Sequence, residues 1–150
     1  MIEAFKDLNV DVACLGNHEL DFGLERAEKL IKATETPWLI SNLLDTKGNP
    51  VVGLKKSHIV ETQGFKIGLM GFADKSWLDI LNVRVPMSEL RYENHLDVLK
   101  TLSIEMRGQG CDLLVALNHM HYEEDEIMAR SVKPGALDLI LGGHDHLFLG

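Results

Sequence analysis

Long apolar runs, basic clusters and cysteine are scarce in this 150-residue chain. No apolar stretch approaches the ~20 residues of a membrane span, so no transmembrane helix is expected. Lys and Arg number 15 against 23 Asp and Glu, a net charge of -8, and they form no runs. That argues against nucleic acid as a partner. It does not exclude an anionic substrate, because bound cations can dominate a local field. The two cysteines, Cys14 and Cys111, lie in apolar runs and are expected as free, buried thiols. The opening MIEAFKDLNV has no basic segment followed by an apolar one, so it is not a secretory leader. Nothing else marks a compartment, and the cytoplasm is the default expectation. Low-complexity tracts and solenoid repeats are absent too. With 45% hydrophobic and 25% charged residues, the chain reads as one globular domain.

Apolar periodicity then orders the elements. Residues 2–8 read as helix, with Ile2, Phe5 and Leu8 on one face, and residues 10–16 as a short buried strand. Residues 24–34 read as an amphipathic helix with Leu24, Ala27, Leu30 and Ile31 inward. Pro37 stops it, and Trp38-Leu39-Ile40 begins a strand. After a turn-rich loop at 45–50, strands at 57–62 and 66–72 joined by Gln63-Gly64 form a β-hairpin. Residues 74–83 are expected to be irregular with a helical turn. The stretch 88–109 holds a long helix starting near Tyr92 and ended by Gly108 and Gly110. A strand at 111–117, a charged helix at 123–132 and a strand at 137–142 complete the order. The class is α/β with mixed sheets.

Three of these strands end in small, polar, histidine-bearing segments. They are Asn17-His18-Glu19-Leu20-Asp21, Asn118-His119-Met120-His121 and Gly142-Gly143-His144-Asp145-His146. Five of the seven histidines fall here, His58 and His95 being the exceptions. Ligands of α/β sheets bind at the carboxyl ends of strands. A single histidine there is ordinarily a surface residue, but three clusters after three buried strands point to a metal or phosphate site. His144 and His146, two apart, would share a face if extended, and Gly142 and Gly143 would let backbone approach an ion. Imidazole and amide oxygen suit Zn, Mn, Fe or Ni. No cysteine joins the clusters, which argues against a structural zinc knot. Hydrolysis by metal-activated water is the expected use.

These segments resemble a known family. Gly16-Asn17-His18-Glu19 is similar to a signature of calcineurin-like metallophosphoesterases, and its extension Leu20-Asp21-Phe22-Gly23 resembles the 5'-nucleotidase branch. Asn118-His119-Met120 and Gly142-Gly143-His144-Asp145-His146 resemble two further signatures. The resemblance implies part of a four-layer α/β/β/α sandwich with mixed sheets and a site for two divalent ions, with Zn, Mn, Fe, Ni and Co not distinguished. Asn17, His119 and His144 would hold one ion and His146 the other. His18 would contact the scissile phosphate, with Asp21 orienting it. Asp145 and His121 are not implied as ligands, and His121 is expected at the surface.

The implied activity is hydrolysis of phosphate monoesters, with nucleoside 5'-monophosphates as the leading substrates. The family's opening Asp-x-His and Gly-Asp signatures have no counterpart before Gly16, and its C-terminal substrate domain is expected to be missing because the sequence stops at Gly150. Residues 1–150 are therefore expected to be a partial catalytic domain. Two other readings remain open: an inactive fragment serving only as a binding or pairing module, and a cyclic-nucleotide phosphodiesterase relative.

Overall fold

A computed structural model describes residues 2–77, 79 and 85–146. Its helices are α1 (Ile2–Asp7), α2 (Leu24–Thr34), α3 (His95–Gly108) and α4 (Tyr122–Ser131). Its strands are β1 (Ala13–Cys14), β2 (Trp38–Leu39), β3 (Leu43–Asp45), β4 (Ser57–Thr62), β5 (Phe65–Ala73), β6 (Leu90–Tyr92), β7 (Leu113–Met120) and β8 (Leu139–His144). The class is α/β with mixed sheets, as expected.

The largest sheet has the order β4-β5-β7-β8. Its β4–β5 hairpin is antiparallel, while β5–β7 and β7–β8 are parallel. Gln63 and Gly64 join the hairpin with φ of 50° and 85°. That pair of positive angles matches the right-handed twist of the flanking strands. Strand β7 alternates. Leu114, Ala116 and Met120 enter a core with Leu99, Leu102 and Met106 of α3 and Met128 of α4. Asn118 lies on that same face, and His119 lies on the other.

A second core joins Ala27 and Ile31 of α2 to Ala13, Leu15, Trp38 and Ile40 around the parallel β1–β2 pair. Phe5 of α1 stacks on Trp38, with ring centroids 5.2 Å apart. The layers thus run helix, small sheet, large sheet, helix. The two sheets meet closely at Gly71, where a Cβ would lie 2.8 Å from the Leu39 carbonyl oxygen. Nearby, Ser41 N–H donates to Gly71 O, and the Asn42 amide brackets Ala73, donating to its O and accepting from its N–H.

Several sequence expectations need correction. Leu8 is 74% exposed, because α1 stops at Asp7 and the chain turns at Asn9, φ 49°. The 10–16 strand is regular only at Ala13–Cys14. Tyr92 lies in β6, paired with Leu43 of β3, and α3 starts later, where Asn94 Oδ1 accepts from Leu96 and Asp97 N–H. The last two strands run to Met120 and His144, further than expected, which carries two of the histidine clusters into the sheet. Cys111 is buried, whereas Cys14 is only half-buried. Most of the segment expected to be irregular beyond Trp77 lies outside the described residues. Among those described, no helix is long and apolar enough to cross a membrane.

Candidate metal centre

The chain leaves β1 through Leu15, whose N–H donates to Leu39 O at 3.0 Å. Gly16 N–H then donates to Glu19 Oε2 at 2.7 Å. A side chain at residue 16 would crowd that carboxylate and the His119 ring, so the glycine leaves room for both. Asn17 starts the 3-10 turn His18–Leu20 and is 4% exposed. Its Oδ1 lies 2.9 Å from His119 Nε2.

His119 reaches this point because β7 is parallel to both neighbours, pairing it with Ala73 of β5 and Gly143 of β8. Its ring meets the edge of Trp77 and packs against His144, whose Nδ1 is 3.2 Å from His119 Nε2. Burial first, then the nearby His144, His18 and His146, push the His119 pKa down to about 4. It therefore keeps a free lone pair at neutral pH.

An amide oxygen and two imidazole nitrogens thus converge from the ends of three different strands. Their separations of 2.9 and 3.2 Å suit ligands sharing one ion, since bonds of about 2.0–2.2 Å place adjacent donors about 3.0–3.4 Å apart. An amide oxygen and imidazole nitrogens of this kind fit a borderline transition metal. The residues present are compatible with a divalent ion between Asn17, His119 and His144.

The other expected residues sit around this trio. His18 is largely exposed, and its Nδ1 lies 2.9 Å from Asp21 Oδ2. His146 is near enough to act on His119 electrostatically, yet none of the hydrogen bonds among the described residues joins its side chain to the trio. The stretch holding His144 and His146 is not extended. Their φ angles are 102° and 54°, so sharing a face by simple alternation does not apply. Left-handed backbone at non-glycine residues costs about 1–3 kcal/mol each and persists where surrounding contacts enforce it. Gly142 also has a different use from the one expected. A Cβ there would collide with the Asp125 carboxylate, which accepts from Asn118 Nδ2 at 2.7 Å.

Sequence reasoning passed over Asp74 and set Asp145 and His121 aside. Asp74 is 6% exposed at the end of β5 and accepts from Ser76 and His121 N–H. The strand-end rule that picked out the histidine clusters would have found it. His121 is half-exposed but engaged, its Nδ1 lying 2.7 Å from Asp145 Oδ1. One donor atom from each of His121, His144 and Asp145 lie within 4.8 Å of one another. An open cleft of about 400 Å³ runs beside them, lined by Tyr122, Asp125, Gly143 and His146.

The family profile described as calcineurin-like phosphoesterase matches residues 1–148. The chain belongs to this family. Among its relatives is a probable 5'-nucleotidase of Treponema pallidum (strain Nichols), 29% identical over 145 residues, covering 93% of this chain and 23% of the relative. The 5'-nucleotidase of Bos taurus is 29% identical over 147 residues, covering 95% and 25% respectively. The crystal structure of a 5'-nucleotidase precursor from Thermus thermophilus superposes with a TM-score of 0.87 at 24% identity, covering 99% of this chain and 29% of that one. The chain thus spans about a quarter of the length of these relatives, and what it shares with them is the phosphoesterase fold and kind.

Proposed function

We propose that this chain supplies metal ligands and an acid–base dyad to a phosphomonoesterase acting on nucleoside 5'-monophosphates. The observation that carries the reading is the convergence of Asn17, His119 and His144 from three strand ends beside the exposed His18–Asp21 pair. Asn17, His119 and His144 would hold one divalent ion, and His146 would serve a second. Bound divalent ions supply Lewis acidity and activate water at neutral pH.

The protein's own groups do the rest. A carboxylate only accepts, so His18 Nδ1 carries the proton of its bond to Asp21, and Nε2 stays clear of that contact. From that nitrogen a protonated His18 donates to a phosphoryl oxygen as charge develops and passes a proton to the leaving oxygen. Asp21 holds the ring in that orientation. The nucleotide preference rests on the 5'-nucleotidase relatives.

One observation favours the inactive reading for the chain on its own. Carboxylates near the trio are already engaged: Glu19 by Gly16, and Asp145 by His121 and Tyr122. The test is phosphate release with Mn²⁺ by a polypeptide of the relatives' length that contains these 150 residues. Nucleoside 5'-monophosphates should be hydrolysed faster than sugar phosphates. Cleavage of cyclic nucleotides with no action on monoesters would overturn the monoesterase reading.

A further inference from the structure

The loop after β8 is tied to the corner between β7 and α4 by one side chain. Asp145 Oδ1 lies 2.7 Å from His121 Nδ1, and Asp145 Oδ2 accepts from Tyr122 N–H at 2.6 Å. The corner is itself fixed to β5, because His121 N–H donates to Asp74 Oδ2 at 3.1 Å. The His121 position at the start of α4 makes no side-chain cap of its own. Asp145 therefore reaches in from the loop after β8 to meet the first N–H of that helix. Asp145 stands between the two residues of left-handed backbone, His144 and His146. The His121 and His144 rings pack edge to face, with centroids 4.6 Å apart.

The clamp lies between two candidate ligands. His119 precedes His121 by two residues, and His144 directly precedes Asp145. We propose that Asp145 is a positioning residue that locks the two loops together and so sets the approach of His144 to His119. The proposal rests on the reading that Asn17, His119 and His144 hold a divalent ion. The bond also fixes the imidazole. A carboxylate acceptor requires the proton on His121 Nδ1, the arrangement by which carboxylates orient histidines around metal sites.

The experiment measures Mn²⁺ affinity of the 150-residue chain and its variants, alongside metal-free melting and long-range ¹H–¹⁵N spectra of the histidine rings in alkaline buffer. Asp145→Ala should weaken Mn²⁺ binding about 10–100-fold, the usual effect of removing an orienting partner. Asp145→Asn should recover most of that loss, since its amide oxygen still accepts from Tyr122 and its NH₂ meets His121 Nδ1. In that variant the neutral His121 ring should switch from the Nδ1–H to the Nε2–H tautomer, which a simple helix cap would not produce. Glu123→Ala, in the same helical turn, should bind as the parent does.

Equal Mn²⁺ affinity in Asp145→Ala and the parent would overturn the proposal. If Asp145→Ala fails to fold, His121→Ala keeps the Tyr122 bond and carries the same comparison, and unchanged affinity there overturns it. A parent chain that holds no Mn²⁺, or one whose affinity survives His119→Ala, would instead sink the underlying metal reading. The spectra then judge the clamp alone, and an Nε2–H tautomer of His121 in the parent contradicts it.

Discussion

Asn17 and His119 stand 102 positions apart in the chain, and the Asn17 side-chain oxygen lies 2.9 Å from the His119 ring. The contact joins the two sheets, one residue coming from the end of β1 and the other from the end of β7. Replacing either should remove a donor from the proposed ion. His119→Ala and Asn17→Ala are each expected to weaken Mn²⁺ binding by at least the about 10–100-fold typical of an outer partner. Calorimetric titration reads the change, and affinity equal to the parent's in both variants would count against the site.

His18 should behave differently, because its contact is with Asp21 and not with the trio. In an active polypeptide carrying this segment, His18→Ala should lower kcat by about 10²–10⁴-fold, the range of general acid–base groups. Metal content should stay near the parent value. Loss of stoichiometric metal would make His18 a ligand instead.

The chain alone is expected to turn over very slowly. Three neutral donors address one ion, and a lone histidine is proposed for the other. Two dications held close together with no carboxylate between them repel about four times as strongly as two unit charges. With excess Mn²⁺ or Zn²⁺, phosphate release from a nucleoside monophosphate should be near background. Turnover on the order of 1–10³ per second would show that a carboxylate such as Asp145 completes the site.

Away from the site, His95 predicts a pH effect. It is 5% exposed at the start of α3, with Tyr92 OH 3.2 Å from its Nδ1. Its Nε2 has no hydrogen-bond partner among the described residues and is 3.6 Å from Glu124 Oε2. Burial lowers its pKa, opposed by Glu124, Asp74 and Asp125. With the folded value below the unfolded one, the unfolded chain takes up the proton first as pH falls. Stability from this residue is therefore complete above about pH 6.5 and declines below it. Melting measured between about pH 7.5 and 5 should show a steeper acid-side loss for the parent than for His95→Gln. Parallel curves would rule the histidine out.

Gly71 tests the contact between sheets. Its added Cβ in Gly71→Ala would lie against the Leu39 backbone, which has no flexible end to move aside. Overpacking of this kind costs about 1–3 kcal/mol, and each kcal/mol lowers the melting point by about 2–4 °C in a domain of this size. A melting point equal to the parent's would mean that the sheets separate without cost.

Much of this was legible because buried strands are written as unbroken apolar letters and their ends as sudden polar ones. That contrast picked out the three polar clusters, the family resemblance singled out Asn17, His119 and His144 within them, and the hairpin turn at Gln63-Gly64 was carried by its residue types. The β3–β6 pair was not legible. It joins Leu43–Asp45 to Leu90–Tyr92 across a long stretch of chain, and three residues are too few to display a period. Asp145 was set aside because its partners, His121 and Tyr122, become neighbours only when β7 and β8 pair. The left-handed turns at His144 and His146 left no trace either, since histidine adopts positive φ only occasionally and its letter alone does not announce it.

The β1–β2 pair and the four-stranded sheet pack on separate cores, and the proposed ligands are divided between them: Asn17 follows β1, while His119 and His144 end β7 and β8. A cation held there can bind only while both halves are docked in register. Its affinity then becomes a measure of docking. At a free concentration about a hundred times its dissociation constant, such a ligand adds about 2.7 kcal/mol to the docked state. If the proposed ion binds there, a chelator should lower the melting point of the docked halves by the same linkage.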